Sequence, residues 1–211
     1  MFKLSKKILL SSSLLLASSQ LFALPNNVRI SRVDAHGTGC PPGSAYINIS
    51  PDRQVFTAIF DEFQAIIDPR DPYVSYSDRH KRCDLALTVH VPQGWQFSIF
   101  KADYEGWYDL ERGMSLTQTS TYHFQGNKRH RKRSRITTRN RPKNGEFIFT
   151  DKMGVQSLEW SACGGPRNMF ISSELRLSSR NRSSSGVAGI DAIEGQFSMK
   201  AHYGIRWRRC R

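Results

Sequence analysis

Apolar residues recur at every second position through most of this chain, and no window carries the three-and-four spacing of an amphipathic helix. Leu85, Leu87, Val89 and Val91 alternate with Ala86, Thr88 and His90 until Pro92-Gln93-Gly94 turns the chain. Trp95, Phe97 and Ile99 alternate next. Leu116, Gln118, Ser120, Tyr122 and Phe124 then share one face, opposite threonines at 117, 119 and 121. Near the C-terminal end, Phe197, Met199, Ala201, Tyr203, Ile205 and Trp207 point one way while Lys200, His202 and Arg206 point the other. Further strands are expected over Tyr46 to Ile49, Val55 to Ile67, Tyr104 to Leu110, Phe147 to Phe149, Val155 to Trp160, Met169 to Leu177 and Val187 to Ile193, with Gly, Pro, Asn and Asp clustered between them. Strands with one wet face stack most simply as two antiparallel sheets. The expected fold is an all-β sandwich, jelly-roll or immunoglobulin-like, with a closed barrel as the alternative.

The first residues read as an export signal. Lys3, Lys6 and Lys7 precede an apolar stretch from Ile8 to Leu16, and small residues follow up to Ala23. Cleavage is expected after Ala23, with Ser19 as the second choice. That leaves 24–211 as a single domain, secreted or periplasmic. Cys40, Cys83, Cys163 and Cys210 all lie beyond the leader and allow three pairings. Cys40 with Cys83 and Cys163 with Cys210 is preferred, because each bond then closes a loop of about 45 residues and staples one half of the chain. No two cysteines have the close spacing of a zinc site.

The formal charge of +13 suggests a nucleic-acid binder until it is placed along the chain. Between Gly126 and Gly145 lie Lys128, Arg129, Arg131, Lys132, Arg133, Arg135, Arg139, Arg141 and Lys143, with no acid among them. The rest of the mature chain is close to neutral. Like charges repel, so 126–145 is expected as a long hairpin tip or loop. It would attract an anionic polymer or surface: anionic lipid, lipopolysaccharide, acidic glycan or nucleic acid. Aromatics for base stacking are absent from it.

A second candidate ligand site is Trp107 with Asp103, Glu105 and Asp109, which alternation turns to the face opposite Tyr108 and Leu110. An aromatic ring edged by carboxylates holds a sugar by stacking and hydrogen bonds. Asp61 and Glu62, inside an apolar run, point to opposite faces of a strand; one of them is expected to be partly buried and paired with Arg208 or Arg209. Trp95, Trp160 and Trp207 read as core. Asp68 and Asp71 read as a turn rather than a calcium loop. The histidines lack a paired metal spacing, and no serine sits in a nucleophile elbow. No catalytic residue, cofactor or metal site is therefore assigned.

Gly37-Thr38-Gly39-Cys40-Pro41-Pro42-Gly43-Ser44, Phe60-Asp61-Glu62-Phe63, Pro92-Gln93-Gly94-Trp95-Gln96-Phe97, Trp160-Ser161-Ala162-Cys163-Gly164 and Trp207-Arg208-Arg209-Cys210 together resemble the family of secreted proteins called domain of unknown function 4360. The resemblance implies a secreted single domain with its four cysteines in two bridges, and brings no activity, cofactor or catalytic residue. The basic segment departs from that family pattern. The reading favours a non-catalytic binding or surface-interaction module over the alternatives, a secreted hydrolase acting on polysaccharide or a structural envelope component.

Overall fold

The computed structural model describes residues 24–126, 130–190 and 200–210. The leader with its cleavage point, Lys128, Arg129, Phe197, Met199 and the end of the Val187 to Ile193 strand lie outside them. Two antiparallel sheets stack as a sandwich. Five strands form sheet A in the order β1 (Arg29–His36), β5 (His80–Val91), β10 (Gly165–Ser179), β7 (Met114–Phe124) and β8 (His130–Thr137). Sheet B runs β2 (Ala45–Ile49), β3 (Val55–Phe60), β12 (Lys200–Arg209), β6 (Trp95–Leu110), β11 (Gly186–Gly189) and β4 (Gln64–Ile67). The remaining strand, β9 (Lys143–Lys152), pairs with β6.

Alternation decides which side chains enter the core. Leu85, Leu87, Val89 and Val91 are buried from β5, Met169, Ile171, Leu175 and Leu177 from β10, and Ala201, Tyr203 and Ile205 from β12. Each such large side chain stabilises by about 1.5–3 kcal/mol when fully buried. Phe97 anchors one end of the core, edge-on to Phe56 and Phe124, with Trp207 against it at 5.4 Å.

Four departures from the expected strands have local causes. The Trp95 and Tyr104 runs are one strand, because Ile205 pairs Ile99 while Gly204 pairs Lys101, and the extra Phe100 forms a bulge that shifts the inward phase. A Cβ on Gly204 would sit 2.9 Å from the Phe100 ring, so the bulge needs glycine opposite it. Strand β1 escaped the sequence reading because a register shift between Ile30 and Arg32 breaks its alternation. Val55 to Ile67 is two strands, turned at Asp61 and Glu62. Val155–Ser157 is a short 3-10 turn, and no strand follows it before Cys163.

The interior is not wholly apolar. Gln118, Ser120 and Tyr122 of β7, Ser173 of β10, Tyr104 of β6, Tyr203 of β12 and Asp151 of β9 are all buried. The Tyr104 and Tyr122 hydroxyls lie 2.7 Å apart, Tyr122 donates to Asp151 Oδ2 at 2.7 Å, and Ser173 donates to the Tyr104 hydroxyl at 3.3 Å. Burial, and then the neighbouring Tyr104 and Asp151, push the Tyr122 hydroxyl well above the ordinary phenol range, so it stays protonated and donates. This polar seam bonds one sheet to the other.

The disulfides join Cys40 to Cys83 and Cys163 to Cys210, with Cα separations of 5.2 and 5.9 Å. The first ties the chain after β1 to β5. The second fastens the segment leading into β10 of sheet A to the end of β12 in sheet B, so it staples across the sandwich. Replacing both Cys163 and Cys210 by serine is expected to cost about 2–4 kcal/mol. A urea unfolding midpoint equal to that of the parent contradicts this.

Candidate functional site

Much of the basic segment is strand where it is described: His130–Thr137 form β8, the edge of sheet A, and 138–142 connect it to β9. Repulsion among its cations is relieved because alternation sends them to different places. Arg131, Arg133 and Arg135 are exposed on the outer face, whereas Lys132 turns towards the inner side and is partly covered. Arg139 and Arg141 lie exposed where the chain crosses from sheet A to sheet B, and Lys143 is exposed at the start of β9. An edge strand tolerates such charge, which also blocks pairing with another chain.

The register extends the three arginines into rows across the sheet. Arg131 lies opposite Thr121, Arg133 opposite Thr119 and Arg135 opposite Thr117. Those threonines face Ser172, Glu174 and Arg176 on β10, which in turn face Asp84, Arg82 and His80 on β5. The acids of this face are already engaged. Arg82 Nε lies 2.7 Å from Asp84 and Arg82 Nη1 3.3 Å from Glu174, with His80 3.7 Å from Glu174. Partial burial raises the Asp84 carboxyl, but hydrogen bonds from Arg82 and Ser172 outweigh it and hold Asp84 below the ordinary carboxylate range. The Asp84 hydrogen bond in turn raises Arg82. Among the described residues, no carboxylate lies within 4.0 Å of Arg131, Arg133, Arg135 or Arg176. Successive arginines on β8 are about 7 Å apart along the strand.

Beside this ladder is an open depression of about 460 Å³, bordered by Arg131, His123, Phe170, Ala86, Asp84 and Arg82. A neighbouring hollow is bounded by Tyr76, Arg79, His80 and Arg176, with the Arg79 guanidinium stacked 3.9 Å over the Tyr76 ring. The contiguous basic run drew attention away from this face. The outward phase of β10, Phe170-Ser172-Glu174-Arg176, contributes to this face, which forms only through its register with β5 and β7.

Trp107, Asp103 and Glu105 share the outer face of sheet B as alternation required, half-buried, with Asp109 exposed beyond them. Their carboxylates have protein partners. Asp103 meets Lys101 at 2.5 Å and accepts from Thr150 at 2.6 Å, and Glu105 lies 3.7 Å from His202. Partial burial raises the Asp103 carboxyl, and the Lys101 and Thr150 hydrogen bonds outweigh it, so it too is lowered. Trp107 stands between Glu146 of β9 and Gly189 of β11.

Asp61 and Glu62 correct another expectation: both are exposed on their turn, and neither meets Arg208 or Arg209. Arg208 instead stacks 4.0 Å over Trp160 and Arg209 4.2 Å over Trp95. All three tryptophans expected in the core, Trp95, Trp160 and Trp207, are half-buried because they support these cations or the core rim. Asp68 and Asp71 accept turn hydrogen bonds from the Arg70 and Tyr73 backbone N–H groups.

The model of the family described as Domain of unknown function (DUF4360) matches residues 26–210. An "Uncharacterized secreted protein" of Arthroderma benhamiae is 37% identical over 186 residues, covering 88% of this chain and 73% of that protein. Two disulfides and a secreted relative of this similarity place the chain outside the reducing cytosol. No helix among the described residues is long and apolar enough to cross a membrane. Solved structures match the chain as well, among them the following two. A carbohydrate-binding module, TmCBM61 in complex with beta-1,4-galactotriose, is 11% identical with a TM-score of 0.26, over 85% of this chain and 90% of that one. The enzymatically active domain of tailspike protein 4 from bacteriophage CBA120 is 10% identical with a TM-score of 0.22, over 86% of this chain and 20% of that one. Scores this low say nothing about ligand.

Proposed function

The chain belongs to the DUF4360 family, and from that premise we propose that it is a secreted, non-catalytic binding module that holds a linear polyanion against the outer face of sheet A. The observation that carries this reading is the ladder of Arg131, Arg133 and Arg135, exposed, evenly spaced and without an acidic partner among the described residues. An extended polymer with repeating anionic groups meets successive guanidinium groups, each able to bind two oxygens of a carboxylate or sulfate. Within the rows, the partly exposed Thr117 and Thr121 beside Arg135 and Arg131 supply hydroxyl donors without adding bulk. Retention of the full chain on heparin-agarose, eluted by salt, tests the reading; passage through the column at low salt overturns it.

Export follows the leader. Cleavage after Ala23 makes Leu24 the first residue of the secreted protein, and N-terminal sequencing checks it. A start at Gln20 places the cut after Ser19 instead.

A further inference from the structure

The depression beside Arg131 has a composition that the arginine ladder alone does not require. In one register row His123 of β7 stands next to Phe170 of β10, and Phe170 next to Ala86 of β5. The His123 and Phe170 rings stack with centroids 5.0 Å apart and planes at 21°. The opposite side of the Phe170 ring therefore looks over Ala86, whose methyl group is too short to fill the space. Ser172 and Thr121 in the adjoining row are also short. Around this low floor stand Arg131 on one side and Arg82 with Asp84 on the other. The hollow exists because small residues are ringed by long ones, and its volume of about 460 Å³ falls within the usual range for small-ligand sites of roughly 300–1,000 Å³.

We propose that this depression is a subsite for one uronic-acid residue of an acidic polysaccharide. The inference rests on the polyanion reading and names the chemistry of the polymer. A pyranose ring presents an apolar face of C–H groups, which packs on the Phe170 ring over Ala86. Its carboxylate faces Arg131, which has no acidic partner among the described residues, while Arg82 is held by Asp84 and Glu174. Sugar hydroxyls donate to Asp84, which is kept ionised, and accept from Ser172 and Thr121. Continuing the chain along β8 brings later anionic residues to Arg133 and Arg135. A polymer with charge but no ring face, or a ring face but no charge, satisfies one half of this arrangement.

The test compares calorimetric titration with tetragalacturonate and with linear polyphosphate, which carries charge but no uronic-acid ring, using the full secreted chain. Phe170→Ala is expected to lower tetragalacturonate affinity at least tenfold while leaving polyphosphate affinity unchanged, and Phe170→Tyr to restore the tetragalacturonate affinity. Ala86→Met fills the floor without changing charge and is expected to act like Phe170→Ala. Methyl-esterified tetragalacturonate is expected to bind at least tenfold more weakly than the acid. Unchanged tetragalacturonate affinity in both Phe170→Ala and Ala86→Met, with the parent still binding polyphosphate, overturns the subsite and leaves the polyanion reading standing. Equal affinity for ester and acid overturns the carboxylate assignment. A parent that binds neither probe removes the reading and the subsite together.

Discussion

Replacing Arg131, Arg133 and Arg135 together by serine is expected to lower polyanion affinity by about 10- to 150-fold, taking roughly 0.5–1 kcal/mol for each exposed charge pair. It also flattens the salt dependence. On duplex DNA each neutralised phosphate contributes about 0.9 to the slope of log affinity against log salt, so losing three contacts is expected to reduce a comparable slope by nearly 3. Net charge alone predicts the same change wherever three cations are removed. The decisive control is therefore Arg139→Ser with Arg141→Ser and Lys143→Ser, which subtracts the same charge from the crossing between the sheets and the start of β9. If the outer-face ladder binds, the first triple variant elutes early from heparin-agarose and the second stays near the parent. Equal losses from both reduce the effect to bulk charge and sink the ladder.

That contrast was not visible in the sequence, where all nine cations form one run. Alternation made β5, β7 and β12 legible: β5 and β12 each have an inward apolar set and an outward set that keeps some exposure, and β7 holds the same two-residue period with Gln118 and Ser120 among its inward residues. It also placed Gln118 and Ser120 on the inner face beside Tyr122, and the two cross-links joined the cysteines paired by loop length. Where the period slips, the reading slipped with it. The bulge at Phe100 divided one strand into two, and the shift between Ile30 and Arg32 hid β1. The arginine ladder was lost for a different reason. Charge repulsion was weighed for a free segment, but pairing with β7 spaces the side chains about 7 Å apart and sends alternate residues to opposite faces. The Phe170 hollow depends on register between β5, β7 and β10, which no single strand encodes.

The same register makes the polar seam energetically exacting. Tyr122→Phe removes the hydroxyl that donates to Asp151, leaving a carboxyl that is 3% exposed without that donor. Leaving a buried acceptor without its donor typically costs about 1–3 kcal/mol and lies at the upper end for a carboxyl, so a loss of about 2–3 kcal/mol is expected in the unfolding free energy. Asp151→Leu removes the acceptor of the Tyr122 hydroxyl instead, at about 1 kcal/mol, because the Tyr104 hydroxyl 2.7 Å away remains to pair with it. The double variant has nothing left to strand across β7 and β9. Its cost is expected to fall short of the two single costs combined by about 1–3 kcal/mol, the coupling that contacting residues show in such cycles. Urea unfolding of the four proteins measures this directly. Strict additivity means that the Tyr122 and Asp151 side chains do not act as a pair, and the seam then contributes through packing rather than through a bond between the sheets.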